Sequence, residues 1–109
     1  SSHPDHIAAG EAALSSVYPT ARDRLTFPEL LEEGYEPHKV REVWVMSRDD
    51  ADHYNEISED DMNVAMKALA AHTSQVPPEA IERVISWKKE NGKKHNMEYA
   101  ESFRTFVLR

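Results

Sequence analysis

The chain has 109 residues, 39% hydrophobic and 30% charged, with no cysteine and a formal net charge of −7. A length of this order holds one small domain with one function and buries only about two-thirds of its unfolded surface. Disulfide frameworks, thiolate zinc sites, iron–sulfur ligation and thiol nucleophiles are excluded together, and a reducing, cytoplasmic setting is expected.

A pI near 5.3 argues against a nucleic-acid partner, because phosphate neutralisation needs clustered Lys and Arg that outnumber nearby acids. No apolar run approaches the ~18 residues of a membrane span, so no span is expected. The chain shows no charged n-region followed by an apolar h-region, so no secretory signal is expected either. The opening Ser1-Ser2, without an initiator methionine, reads as a cut end.

Residues 4–17 form the first helical pattern. Ile7, Leu14 and Val17 fall near one face, Ala8, Ala12 and Ala13 fill the helix, and Ser2 or His3 takes the N-cap before Pro4. Gly10 inside this helix costs roughly 1 kcal/mol against alanine, which points to a close neighbour there. Tyr18-Pro19 ends the helix, since the residue before proline is pushed out of the α region. Residues 20–39 read as irregular, with one short helical turn over 28–33 closed by Gly34 and broken by Pro37.

The clearest strand is 40–47, whose Val43-Trp44-Val45-Met46 centre is apolar on both faces. That pattern is expected of a strand covered from both sides in an α/β sheet, with Trp44 in the core. A polar loop over 48–52 leads to a short second strand at 54–57. Ser58-Glu59-Asp60-Asp61 is a helix N-terminus, with a Ser cap and acids facing the positive end of the dipole. Met62, Ala65, Met66 and Leu69 carry that helix to about His72.

Pro77-Pro78-Glu79 opens another helix whose stripe is Ile81, Val84, Ile85 and Lys88, stopped by Asn91-Gly92. After a basic linker, residues 99–108 alternate in a way that favours an extended segment over a helix. Two strands with three or four helices make a mixed pattern, and a two-stranded sheet is a poor independent unit. The chain therefore reads as part of a larger α/β fold.

The residues richest in chemistry are His3-Pro4-Asp5-His6. Two imidazoles three residues apart at a helix start lie within about 60° of each other, near enough to address one site. Imidazole nitrogens are metal ligands, and an aspartate beside them orients a ring by accepting its second N–H. Two His and one Asp are an incomplete set, because a catalytic zinc takes three protein ligands and leaves a position for water. Histidine and aspartate near a helix start are also ordinary capping residues, so spacing alone leaves both readings open.

The run His3-Pro4-Asp5-His6-Ile7-Ala8-Ala9-Gly10-Glu11-Ala12 resembles the second conserved block of the PIG-L/LmbE-like metal-dependent N-acetylglucosamine deacetylases, which carry HPDH, three variable residues and Gly. Ala21-Arg22-Asp23, Phe27-Pro28-Glu29-Leu30, Glu36-Pro37-His38-Lys39-Val40, Ile57-Ser58, Ala71-His72-Thr73-Ser74-Gln75 and Tyr99-Ala100-Glu101-Ser102-Phe103-Arg104 are similar to successive family features, in order, over nearly the whole chain. The resemblance implies the C-terminal portion of a Rossmann-like α/β fold and a zinc-type hydrolase, using Zn2+ or another divalent metal, that removes acetyl from an N-acetylglucosaminyl small molecule or glycoconjugate.

By the same resemblance His6 is a metal ligand. His3 lies beside the metal and, as the imidazolium, stabilises the oxyanion or protonates the leaving amine, while Asp5 orients a neighbouring histidine. The metal would activate water and polarise the acetyl carbonyl. The family's first block, Ala-His-Pro-Asp-Asp, supplies two more ligands and the general base, and nothing here matches it. Asp49-Asp50 and Asp60-Asp61 lack the preceding His-Pro, and Glu56 stands before Ile57 where relatives often carry Asp.

Residues 1–109 are accordingly expected to be one domain segment, inactive alone. The alternative is a non-catalytic acidic helical module that keeps the family scaffold and serves interaction or assembly, with homo-oligomerisation possible. Among other residues, His72 reads as a capping or packing residue and His38, His53 and His95 as surface residues. Trp87 reads as core or as the anchor of an exposed patch, and Glu101 as solvated. Lys88, Lys89, Lys93 and Lys94 are accounted for by a helix C-terminus.

Overall fold

The computed structural model describes residues 3–109 and is a mixed α/β chain with four α-helices and one small three-stranded antiparallel sheet. It divides into two compact units, Ser1–Val43 with Val107–Arg109 and Trp44–Phe106. The Ser2 alternative for the first cap lies outside the described residues. No helix among those residues is long and apolar enough to cross a membrane.

In the first unit, α1 (Pro4–Ser15) starts at His3, whose ring rather than a hydroxyl caps it, and carries Pro4 in its first turn. A five-residue wider turn, Ser16–Thr20, follows and is interrupted by the extended Tyr18 ahead of a cis peptide to Pro19. Ile7 and Leu14 stay more than half exposed, so the apolar stripe of α1 is uncovered. A Cβ built at Gly10 would meet nothing within 4 Å, so the close neighbour expected there is absent and the glycine is a plain loss of helix stability.

Helix α2 (Pro28–Glu32) closes as the sequence indicates. Gly34 sits at φ +93°, its N–H reaches the Leu31 carbonyl at 3.1 Å, and Tyr35 N–H reaches the Leu30 carbonyl at 2.9 Å. That paired closure satisfies two end carbonyls and needs a residue free to take positive φ.

Strand β1 (Glu42–Met46) runs into the second unit, which holds β2 (His53–Ile57), α3 (Glu59–Ala70), α4 (Pro78–Lys93) and most of β3 (Tyr99–Val107). The strand order is β1-β3-β2, and β2 and β3 pair antiparallel with His53 opposite Phe103 and Ile57 opposite Tyr99. The alternating stretch at 99–108 is thus the third strand, which lifts the sheet above the two-stranded limit. Covering of β1 from both sides is not what the chain forms: Val43 and Val45 are half-buried while Trp44 is 42% and Met46 73% exposed. Trp44 is therefore not core but an edge-strand ring. It packs 4.6 Å from the His53 ring and 5.4 Å from Phe103, centroid to centroid.

Ser58 caps α3 by accepting the Asp61 N–H at 3.0 Å, with Glu59, Asp60 and Asp61 in the first turn. Helix α3 packs on α4 and α4 on β2. Met62 and Ala100 are the buried apolar residues among those described. Asn91-Gly92 does not stop α4, which continues to Lys93. Gly92 is instead the point where the returning chain crosses the helix, and a Cβ there would collide with the Met97 carbonyl oxygen. The Gly92 carbonyl accepts His95 N–H and Met97 N–H, both at 2.9 Å, so the crossing is also hydrogen-bonded.

Candidate functional site

The first turn of α1 brings His3 and His6 together, with ring centroids 5.4 Å apart and planes inclined at 38°. Both side chains and that of Asp5 are exposed. His3 Nδ1 accepts the backbone N–H of Asp5 at 3.0 Å, and the His3 carbonyl accepts the N–H groups of His6 and Ile7 at 3.0 and 3.2 Å. With Nδ1 taken as an acceptor, Nε2 is the nitrogen His3 turns to solvent and the one that carries its ring hydrogen when the imidazole is neutral.

Asp5 meets His3 through its amide. No hydrogen bond joins its carboxylate to either ring among the described residues. Nor do the described residues contain a group of three or more His, Asp or Glu placed to hold a metal ion. The cap takes the lone pair of Nδ1 and leaves the hydrogen on Nε2, so in this geometry His3 presents a donor there, and capping and metal ligation are alternatives for the ring.

Both acid pairs belong to the second unit. Asp50 is held bidentate by Arg48, Nε to Oδ1 at 2.6 Å and Nη2 to Oδ2 at 2.9 Å. The Arg48 hydrogen bond pulls the Asp50 carboxyl below its ordinary value and raises that of the guanidinium. Asp60 and Asp61 stand in the first turn of α3. His72 is a capping residue, Nδ1 lying 3.0 Å from the Ala68 carbonyl, and His53 Nε2 lies 2.8 Å from Asn55 Oδ1.

Two features of the second unit were not singled out in the sequence. Asp52 is pinned to β3: its carboxylate accepts Thr105 N–H at 2.9 Å and Thr105 Oγ1 at 3.0 Å, with Arg104 at 3.8 Å. The Thr105 amide does most to hold its carboxyl below the usual range, with the Thr105 hydroxyl and the Arg104 charge acting in the same direction.

The other is an open cleft of about 750 Å³ between α4 and the β1 end of the sheet. Val84, Trp87, Met46 and Phe103 form its apolar wall. Lys88 and Glu101 line it as an ion pair at 3.0 Å, with the Glu101 side chain still 45% exposed, so Glu101 is both paired and in part solvated. Trp87, at 64% exposure, anchors this patch and is not core. The helical stripe pointed to Lys88 and the patch reading to Trp87, but Glu101 lies thirteen residues from Lys88 and only the return of β3 joins them.

No protein-family model matches the chain, and no curated protein matches it.

Proposed function

We propose that this chain supplies the histidine side of a zinc-type centre that deacetylates an N-acetylglucosaminyl group, as the C-terminal portion of a Rossmann-like PIG-L/LmbE deacetylase. The observation that supports this reading is the pair of exposed imidazoles 5.4 Å apart on one helical turn, in an HPDH sequence. The described residues alone do not fit a catalytic zinc, because two ring nitrogens fall short of the three protein ligands such an ion takes.

What the chain's own residues do is bounded by geometry. The α1 cap fixes His3 by its Nδ1, and the Nε2–H that remains is a donor for the oxygen that gains negative charge as the acetamide is attacked. His6, one turn away, is the residue assigned to the metal, and Asp5 sets the His3 ring through its amide.

The test uses the protein of the complete reading frame, assayed for bound zinc and for acetate released from an N-acetylglucosaminyl substrate. Stoichiometric zinc and acetate release are expected, with both lost in His6→Ala. In His3→Ala zinc is kept and turnover falls on the order of a hundredfold, the usual cost of one oxyanion donor. Undiminished hydrolysis in His6→Ala overturns the assignment. A second reading, a non-catalytic acidic interaction module, draws support from the cleft of the second unit with its exposed Trp87 and Met46.

A further inference from the structure

Two independent observations bear on what the cleft accepts. The first is its charge. Of its cationic lining residues, Arg48 is neutralised by Asp50 and Lys88 by Glu101. Its other two acids, Asp49 and Glu90, are exposed and make no ion pair among the described residues. The uncompensated charge of the cleft is therefore negative, in line with the −7 of the whole chain.

The second is the use of the aromatic rings. Tyr18, Tyr99 and Phe106 each carry a cation of the chain over the ring, from Arg22, Lys89 and Arg104 at 5.5 to 5.9 Å. Indole attracts a cation more strongly than either phenol or benzene. Yet Trp87, one of the most exposed large side chains in the protein, has no cation or ring against it among the described residues. An uncovered indole beside two uncompensated carboxylates, with Met46 and Val84 adjoining, matches one kind of group: a cation on an apolar stem, which lays its methylenes on the wall and its charge over the ring.

We propose that this cleft is a docking site for a basic segment of a partner polypeptide, an extended stretch in which arginine or lysine alternates with apolar residues. An extended chain is favoured over a small organic cation because the cleft, at about 750 Å³, is not enclosed and its lining residues Met46 and Trp87 are both mostly exposed. The apolar residues of the segment seat against Met46, Val84 and Phe103. Its cations reach Trp87, Asp49 and Glu90. This deepens the interaction-module reading and rests on it; its failure leaves the chemistry assigned to His3 and His6 untouched, since no histidine takes part.

The experiment is calorimetric titration of the intact chain with a short blocked peptide alternating arginine and leucine, against peptides with glutamine or glutamate in place of arginine. The arginine peptide is expected to bind, and to weaken as salt is raised. The glutamine and glutamate peptides bind at least roughly tenfold more weakly. Trp87→Ala weakens the arginine peptide by roughly fivefold, as does the pair Asp49→Asn with Glu90→Gln. Val64→Ser, on an exposed site of α3, leaves affinity unchanged, and far-UV circular dichroism confirms that each variant keeps its helices. Equal binding of the glutamate peptide, no binding of the arginine peptide, or full affinity in Trp87→Ala overturns the proposal. So does sedimentation showing that a second copy fills the cleft and blocks the peptide.

Discussion

Gly10 and Gly92 both stand inside helices, and the space around their α-carbons separates them. At Gly10 nothing lies within 4 Å of the place a methyl group would take, so Gly10→Ala removes backbone freedom from the unfolded chain at no steric cost. It is expected to raise stability by about 0.5–1 kcal/mol in urea unfolding. Gly92 is buried with the Met97 and Glu98 backbone against it, so Gly92→Ala forces the crossing apart and is expected to cost about 1–3 kcal/mol. Equal effects at the two sites would contradict this contrast. The sequence marks both as glycines in helical stretches, but which of them has a neighbour depends on where the chain returns. The return is made by residues 97–98, outside either helix, which is why the propensity cost alone pointed to the wrong one.

Elements were legible where a local device defines them. The Ser58 hydroxyl, the acids behind it and Gly34 at positive φ mark helix ends that the sequence states in adjacent residues. What sequence could not supply is partnership across elements. The stretch that became β1 is apolar at every position of its centre, which reads as burial on both faces, yet only the Val43 and Val45 side is half-covered. The Asp52 tether is of the same kind, since Thr105 lies 53 residues away and nothing in a polar loop announces it.

That tether sets a pH dependence. The Asp52 carboxyl titrates lower in the folded chain than its usual 3.8, so its contribution to stability is complete above that value and lost as pH falls through the folded one. Asp52→Asn is therefore expected to lose less of its remaining stability than the parent when urea unfolding is compared at about pH 6 and about pH 3. An acid limb as steep in the variant as in the parent would rule the tether out as its source.

For the chain as a whole, the described core is thin. Met62 and Ala100 are its buried apolar residues, while Leu25, Met46, Val107 and Trp87 are all more than 60% exposed. Burial is the dominant favourable term, so protection should follow it unevenly. Hydrogen exchange is expected to be slowest at the amides shared by β2 and β3 and in α3 and α4, and faster throughout α1, whose residues are uncovered. Protection in α1 equal to that of the paired strands would show a core this structure does not contain. At the same scale the helix start at His3 was legible, because its residues are contiguous. The cleft was the least, because β3, α4 and the end of β1 come from three distant stretches.

The His3 cap leaves one more consequence. A single ring opens the helix by accepting at Nδ1 and offers the Nε2 hydrogen to whatever lies beyond, so helix start and bound group share the side chain only if that group is a hydrogen-bond acceptor. An acceptor held by the Nε2–H leaves the Asp5 amide capped and the first turn of α1 wound. A metal ion bound at either nitrogen uncaps it, since it occupies Nδ1 or drives the ring hydrogen there. The amide of Asp5 is thus a built-in witness, reporting from the backbone whether the imidazole has met an acceptor or a metal ion.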